Sequence, residues 1–220
     1  MFVFGLFLII AAALAVLLKR PEADQTHHES QENIMRIIVG ISGASGVVMG
    51  YEMLKALRMQ EDCEIHLVIT QGAIENFKYE TDMEIKEVMK LADYCYDDKN
   101  MAASISSGSF RTDGMIVIPC SMKTVSAIAN GYGANLLVRA ADVCIKESRR
   151  VVLVPREMPL SRIHLDNLKK AADYGCILLP PMLTFYNHPT TVKEQVDHIV
   201  GKVLMQFGME HKAFIPWEGK

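Results

Sequence analysis

Residues 40–46 read Gly-Ile-Ser-Gly-Ala-Ser-Gly, a turn of small residues directly after an apolar run. Glycine lets a chain turn sharply and approach a ligand closely. A helix beginning at such a turn aims backbone N–H groups at an anion. The spacing matches neither G-x-G-x-x-G nor G-x-x-x-x-G-K-[ST], so the turn alone reads equally as a plain strand-to-helix connection. A second cluster, Pro119-Cys120-Ser121-Met122-Lys123-Thr124, also follows an apolar run. Arg139 and Lys146 lie seven residues apart, two helical turns and therefore one face. That pair reads either as a solvated, ion-paired face or as two cations reaching a phosphate, one a bidentate fork and one a point charge. Arg156-Glu157-Met158-Pro159 closes a further β-branched run, and a carboxylate there suits general acid–base work if its surroundings tune it. Tyr186, in T-F-Y-N-H-P, reads as a packed tyrosine or a phosphate donor, and Trp217 as packing or a lid.

The elements that must hold these groups alternate. Short β-branched runs at 36–41, 64–70, 114–119, 150–155 and 176–179 predict strands. Helix-length segments lie between them at 47–59, 72–77 with 83–92, 121–130, 135–146 and 161–174. A last helix over 191–208 carries apolar residues at 192, 196, 199, 200, 203, 204 and 207, one face of a 3.6-residue period. Alternating strands and helices predict an α/β fold, a mostly parallel sheet with helices on both faces. Ligands of such sheets bind beyond the carboxyl ends of the strands. Gly43 to Gly46, Thr70, Ser121 to Thr124 and Arg156-Glu157 all fall at predicted strand ends, which points to a nucleotide or another phosphorylated ligand.

Residues 35–220 have the length of one domain with a sizeable core. The net charge is −3 and no stretch is markedly basic, so nucleic acid is not an expected partner. The five cysteines are scattered without C-x-x-C, which predicts reduced thiols. The seven histidines form no H-E-x-x-H and no Cys/His cluster has ligand spacing, so no metal is expected. Residues 1–18 carry no charge and are closed by Lys19-Arg20. As a helix they would be roughly 27 Å long, barely a membrane span. The charge order lacks the basic n-region of a signal peptide and places the rest of the chain in the cytoplasm. The segment over 1–20 reads either as a membrane anchor or as residues upstream of a start at Met35, and 21–34 as a linker.

G-I-S-G-A-S-G, P-C-S-M-K-T, N-L-L-V-R-A-A-D-V-C-I-K-E-S-R-R, V-P-R-E-M-P-L-S-x-I-H-L, F-Y-N-H-P and V-D-H-I-V-G-K-V-L occur in order along residues 35–217. With that spacing the chain resembles the UbiX-type flavin prenyltransferases and their relatives, the B subunits of phenolic acid decarboxylase systems. The resemblance implies a flavodoxin-like Rossmann fold, a homododecamer with sites between subunits, and FMN in its reduced form as prenyl acceptor. It implies transfer of a dimethylallyl group from dimethylallyl monophosphate to N5 and C6 of that flavin without a metal, making prenylated FMN for UbiD-type decarboxylases. Carried onto this chain, Gly43, Ala44, Ser45, Thr70, Ser121, Met122, Lys123, Thr124 and Arg139 would cradle FMN. Lys146, Arg156, Tyr186 and Lys202 would grip the prenyl phosphate, Ser45 and Glu157 would relay protons, and Trp217 would close the site. Fixed cations suit this chemistry because the departing phosphate gathers negative charge.

Three positions depart from the family pattern. Thr70 stands where serine is common, Lys202 where arginine is common, and Asn100 near where some members carry tryptophan. The first keeps the hydroxyl and the second keeps the charge without the fork. Two other readings stand beside this one. A phosphopantothenoylcysteine-type decarboxylase would need P-A-S-A-N-T where this chain has P-C-S-M-K-T. A non-enzymatic flavin carrier would leave Lys146, Arg156, Glu157 and Tyr186 unexplained.

Overall fold

The computed structural model describes residues 34–219. The apolar segment over 1–18 and nearly all of the linker lie outside them. Among the described residues no helix is long and apolar enough to cross a membrane.

The chain runs β1 (Met35–Ile41), α1 (Val47–Arg58), β2 (Cys63–Ile69), α2 (Gln71–Glu80), α3 (Ile85–Met89), β3 (Tyr94–Asp97), a 3-10 turn (Ser104–Ser106) and β4 (Gly114–Cys120). It continues through α4 (Met122–Ala129), α5 (Leu136–Lys146), β5 (Arg150–Pro155), α6 (Arg162–Asp173), β6 (Ile177–Leu178), α7 (Val192–Leu204) and a closing 3-10 turn (Met205–Phe207). All strand pairs are parallel, in the order β3-β2-β1-β4-β5-β6. The order reverses between β1 and β4, which opens a crevice at the carboxyl ends of those two strands. This is the expected flavodoxin-like Rossmann sandwich.

Alternation within the strands divides the core. Ile37, Val39, Ile65, Leu67, Ile116 and Val152 point to one face and pack with α1, α2 and α7. Ile38, Val68, Met115, Val117, Val151 and Leu153 point to the other, under α4, α5 and α6. Hydroxyl or amide side chains start the helices: Thr70, Ser121, Asn135, Ser161 and Thr191 each accept from a backbone N–H in the first turn. Gly46, which precedes α1, has φ of 96°, a left-handed conformation that a side chain would strain.

Some expectations need correction. β3 lies outside the predicted strands, because Tyr-Cys-Tyr-Asp at an open sheet edge has no buried face to impose alternation. The helix expected over 83–92 is only α3, and the last helix ends at Leu204 before a 3-10 turn and Gly208 with φ of 73°. Val192 is 80% exposed although it falls on the apolar face. It is the first residue after the Thr191 cap, in the turn of α7 that precedes the buried run beginning at Val196.

Candidate active site

The strand order puts the ends of β2, β1, β4 and β5 side by side, and with them four of the polar clusters. Thr70 N donates to Ile41 O, and Arg156 N donates to Cys120 O at 3.0 Å. Ser42 is buried between the two central ends: its hydroxyl donates to Pro119 O at 3.0 Å and accepts from Ser121 N at 2.7 Å. The exposed turns at Gly43 and Gly72 nearly touch, since a Cβ on Gly43 would lie 3.0 Å from Gly72 Cα. Bare backbone therefore lines that part of the crevice. Ala44 is buried, whereas Ser45 is exposed beside it.

Arg156 closes the row. Its Nε donates to Ser45 O at 3.2 Å, so the guanidinium of the β5 end lies on the β1 turn. Glu157 follows, exposed, with Oε1 accepting from Met158 N at 3.1 Å. The Ser121 hydroxyl accepts from Thr124 N and stands 3.0 Å from the Thr124 hydroxyl. Met122 and Thr124 are buried at the start of α4 while Lys123 is exposed. Thr70 is buried and caps α2. Cys120 also stands here, but complete burial pushes its thiol far up, so it is no thiolate nucleophile.

The N–H groups at the start of α1 were expected to face a phosphate. They bind a carboxylate of the chain itself: Glu80 Oε2 accepts from Gly46 N at 2.7 Å and Val47 N at 3.2 Å. The physical reason is the same one, since a helix N-terminus favours any anion within reach. Glu80 is the last residue of α2 and is exposed, which makes it a carboxylate of the site mouth that no local pattern announced.

The remaining candidates form two further groups. Arg139 stands in the first turns of α5, its Nε donating to Ser106 O at 3.2 Å and its Nη1 to Asp142 at 2.5 Å. The start of α5 is fixed by Asp98, another residue without a sequence signal, whose carboxylate accepts from Asn135 Nδ2 and Leu137 N. Burial pushes the Asp98 carboxyl up although those two bonds pull it down. Lys146 ends the same helix, pairs with Glu147 and reaches Gly108. It lies four residues before β5, whose first residue pairs with the first residue of β4. Lys146 is thus at the amino end of the sheet, a strand length of roughly 20 Å from Ser45 and Ser121. Arg139 and Lys146 share a face and border the loop over 104–110, but one chain does not bring Lys146 to the crevice.

Tyr186, before α7, and Lys202, in its last turn, both pack against the C-terminal tail, Tyr186 on Trp217 and Lys202 on Phe214. The Tyr186 ring packs edge-on against Trp217 at 5.5 Å and against His198 at 5.6 Å, with its hydroxyl 3.4 Å from His198 Nε2. Phe214 stacks on His198, lies against Gly201, and receives the Lys202 ammonium over its ring at 5.9 Å. Burial, then the Lys202 charge, hold the His198 imidazole below the usual histidine range. Asn100 caps its own turn, its side chain accepting from Ala102 N.

The Flavoprotein family model matches residues 25–208. A probable UbiX-like flavin prenyltransferase of Sedimentibacter hydroxybenzoicus is 64% identical over 185 residues, 84% of this chain and 98% of that protein. A dodecameric FMN-dependent UbiX-like decarboxylase from Escherichia coli O157:H7 superposes with a TM-score of 0.83 at 51% identity, covering 84% of this chain and all of that one. AnUbiX (PadA1), solved with FMN and dimethylallyl pyrophosphate, also gives 0.83, at 45% identity, with 84% and 98% covered. The paired β1 and β4 turns, the Arg156–Ser45 contact and these matches along the whole described sheet lead to one assignment: the chain belongs to the UbiX-like flavin prenyltransferase family.

Proposed function

We propose that this protein joins a dimethylallyl group from dimethylallyl monophosphate to N5 and C6 of reduced FMN, and that the prenylated flavin passes to a UbiD-type decarboxylase. The observation that carries the reading is the Arg156–Ser45 contact. It sets the Arg156 guanidinium on the Ser45 carbonyl, so that Ser45 and Glu157 stand next to this contact at the strand ends that also carry Gly43, Thr70, Ser121 and Lys123. Those residues fit FMN: bare backbone at Gly43 and Gly72 lets a ligand approach closely, and the hydroxyls and Lys123 offer donors to its polar edge and phosphate. Arg139 adds a cation on the flavin side.

Reduced FMN supplies, when bound, the electron-rich nitrogen and carbon that accept the prenyl group. The chain's own residues then handle charge and protons. As the allylic C–O bond breaks, its electron pair leaves with the phosphate, and Arg156, Lys146 and Lys202 offset that charge while Tyr186 donates to it. Ser45 holds a proton at the leaving oxygen, and Glu157 accepts and returns one at its carboxylate. Trp217 excludes water from the prenyl side.

A homododecamer completes this site. Lys146 is a strand length from the crevice of its own chain, so in this reading a neighbouring copy provides it. Met158, Leu160, Ile163, Met182, Leu183 and Phe185 are exposed after β5 and β6. Apolar surface of that extent on a folded domain marks a contact with another chain.

Mass spectrometry of the flavin released after incubation with reduced FMN and dimethylallyl monophosphate tests the reading. A flavin heavier by one five-carbon prenyl unit is expected. Unchanged FMN alone, with the protein folded and flavin-bound, leaves a flavin carrier.

A further inference from the structure

We infer that His66 is a positioning residue: a hydrogen-bonded chain from β2 through Tyr96 and Ser104 holds the loop that orients Arg139. The inference rests on the proposed role of Arg139 in holding FMN. His66 lies in the middle of β2, 1% exposed, on the face covered by α5. A valine or isoleucine would be the ordinary occupant of a sheet face so deeply covered, because a buried imidazole is costly unless every polar atom is bonded. Here both ring nitrogens are used. Nε2 is 2.8 Å from Glu64 Oε1 and Nδ1 is 2.9 Å from the Tyr96 hydroxyl, which in turn is 3.1 Å from the Ser104 hydroxyl. The ring is also clamped between Tyr94, stacked at 4.9 Å, and Phe110, edge-on at 5.2 Å.

Glu64 anchors one end of the chain. Burial alone would raise its carboxyl, but hydrogen bonds from His66 and Arg36 outweigh this and hold it below the usual carboxylate range. An ionised Glu64 only accepts, so His66 donates to it from Nε2. The Tyr96 hydroxyl bridges the other ring nitrogen to the Ser104 hydroxyl. Ser104 opens the 3-10 turn whose last residue, Ser106, offers its carbonyl to Arg139 Nε. From the other side Arg149 grips the same loop at Gly108 O and Phe110 O. Arg139 is therefore aimed by a loop pinned at both ends, and the His66 end is the one made of single, removable hydrogen bonds.

The test uses Tyr96→Phe and Ser104→Ala, each of which removes one hydroxyl outside the core. Hydrogen exchange over residues 104–110 and the FMN dissociation constant are the readouts, together with kcat and KM. One lost hydrogen bond predicts FMN binding weaker by about three- to tenfold in each variant. Exchange of the loop should be faster, KM for reduced FMN higher, and kcat within about twofold of the parent. A merely structural role would lower the active fraction, and so kcat, without moving KM. His66→Asn, whose amide oxygen takes the place of Nδ1, should retain tighter FMN binding than His66→Gln, which reaches only towards Glu64. Unchanged loop exchange, FMN binding within about twofold in both hydroxyl variants, or Gln binding as well as Asn overturns the inference. Loop exchange and FMN binding are read without turnover, so failure of the parent protein to prenylate flavin would sink the proposed function and leave this test standing.

Discussion

Glu157 and Arg156 are neighbours in sequence with different partners in space. Arg156 reaches across to Ser45, while the Glu157 carboxylate turns back on Met158 N and remains exposed. Holding Arg156 in place is thus not its task, which leaves the carboxylate free for the proton relay proposed above. Glu157→Gln keeps size and hydrogen bonding but cannot exchange a proton at neutral pH. FMN binding should survive and prenyl transfer fall on the order of 10²-fold or more, typical of a general acid–base group; turnover at the parent rate would remove Glu157 from the relay. Ser45, Thr70 and Ser121 were legible in the sequence because small hydroxyl residues that punctuate helix starts also sit at strand ends. Glu80 was not, since its partner Gly46 is 34 positions away and nothing local distinguishes it from any solvent-facing glutamate.

At the level of elements, the crevice depends on how β1 and β4 finish. Ser42→Ala would leave Ser121 N, which is part-buried, without its partner, and unmet buried donors cost about 1–3 kcal/mol. Denaturant unfolding should show a loss of that size, and a loss below about 0.5 kcal/mol, the level of a surface change, would mean that the two turns are held apart from Ser42. The tail offers a second test. Burial and then Lys202 depress His198, and burial depresses His211 against the pull of Asp197, with Lys193 and Glu52 also near. Both imidazoles thus resist protonation when the tail is docked, and the released tail binds more protons in acid. Docking is complete above the ordinary histidine value of about 6.5 and weakens as pH falls below it. Trp217 is the sole tryptophan, so its emission should shift to the red on acidification, less so in His198→Phe; an emission constant with pH would show that the tail stays seated. The buried strands and the capped helices could be read from periodicity and punctuation. β3 and the docked tail could not, because an edge strand and a loop-borne aromatic cluster are defined by distant neighbours.

For the whole molecule, the crevice belongs to the carboxyl end of the sheet and Lys146 to the amino end. Lys146→Ala and Glu157→Gln should each be nearly inactive alone. Co-expressed in equal amounts, they should recover about a quarter of the parent activity if each site draws the two residues from different copies assembled at random. No recovery would place both residues in the same chain's site. The sheet itself bears on how such copies meet. One margin, β3, is four residues long and runs into Asp98-Lys99, and the other, β6, is two residues long and runs into Pro180-Pro181. Charge and proline at short margins deny a neighbour any row of free backbone groups to pair with. The hydrogen-bonded ribbon therefore stops within each copy. In the dodecamer proposed above, copies would be joined by side chains from loops and helices, whose contacts can be specific in angle and closed in number, and the same margins refuse the open-ended stacking by which strands form fibres.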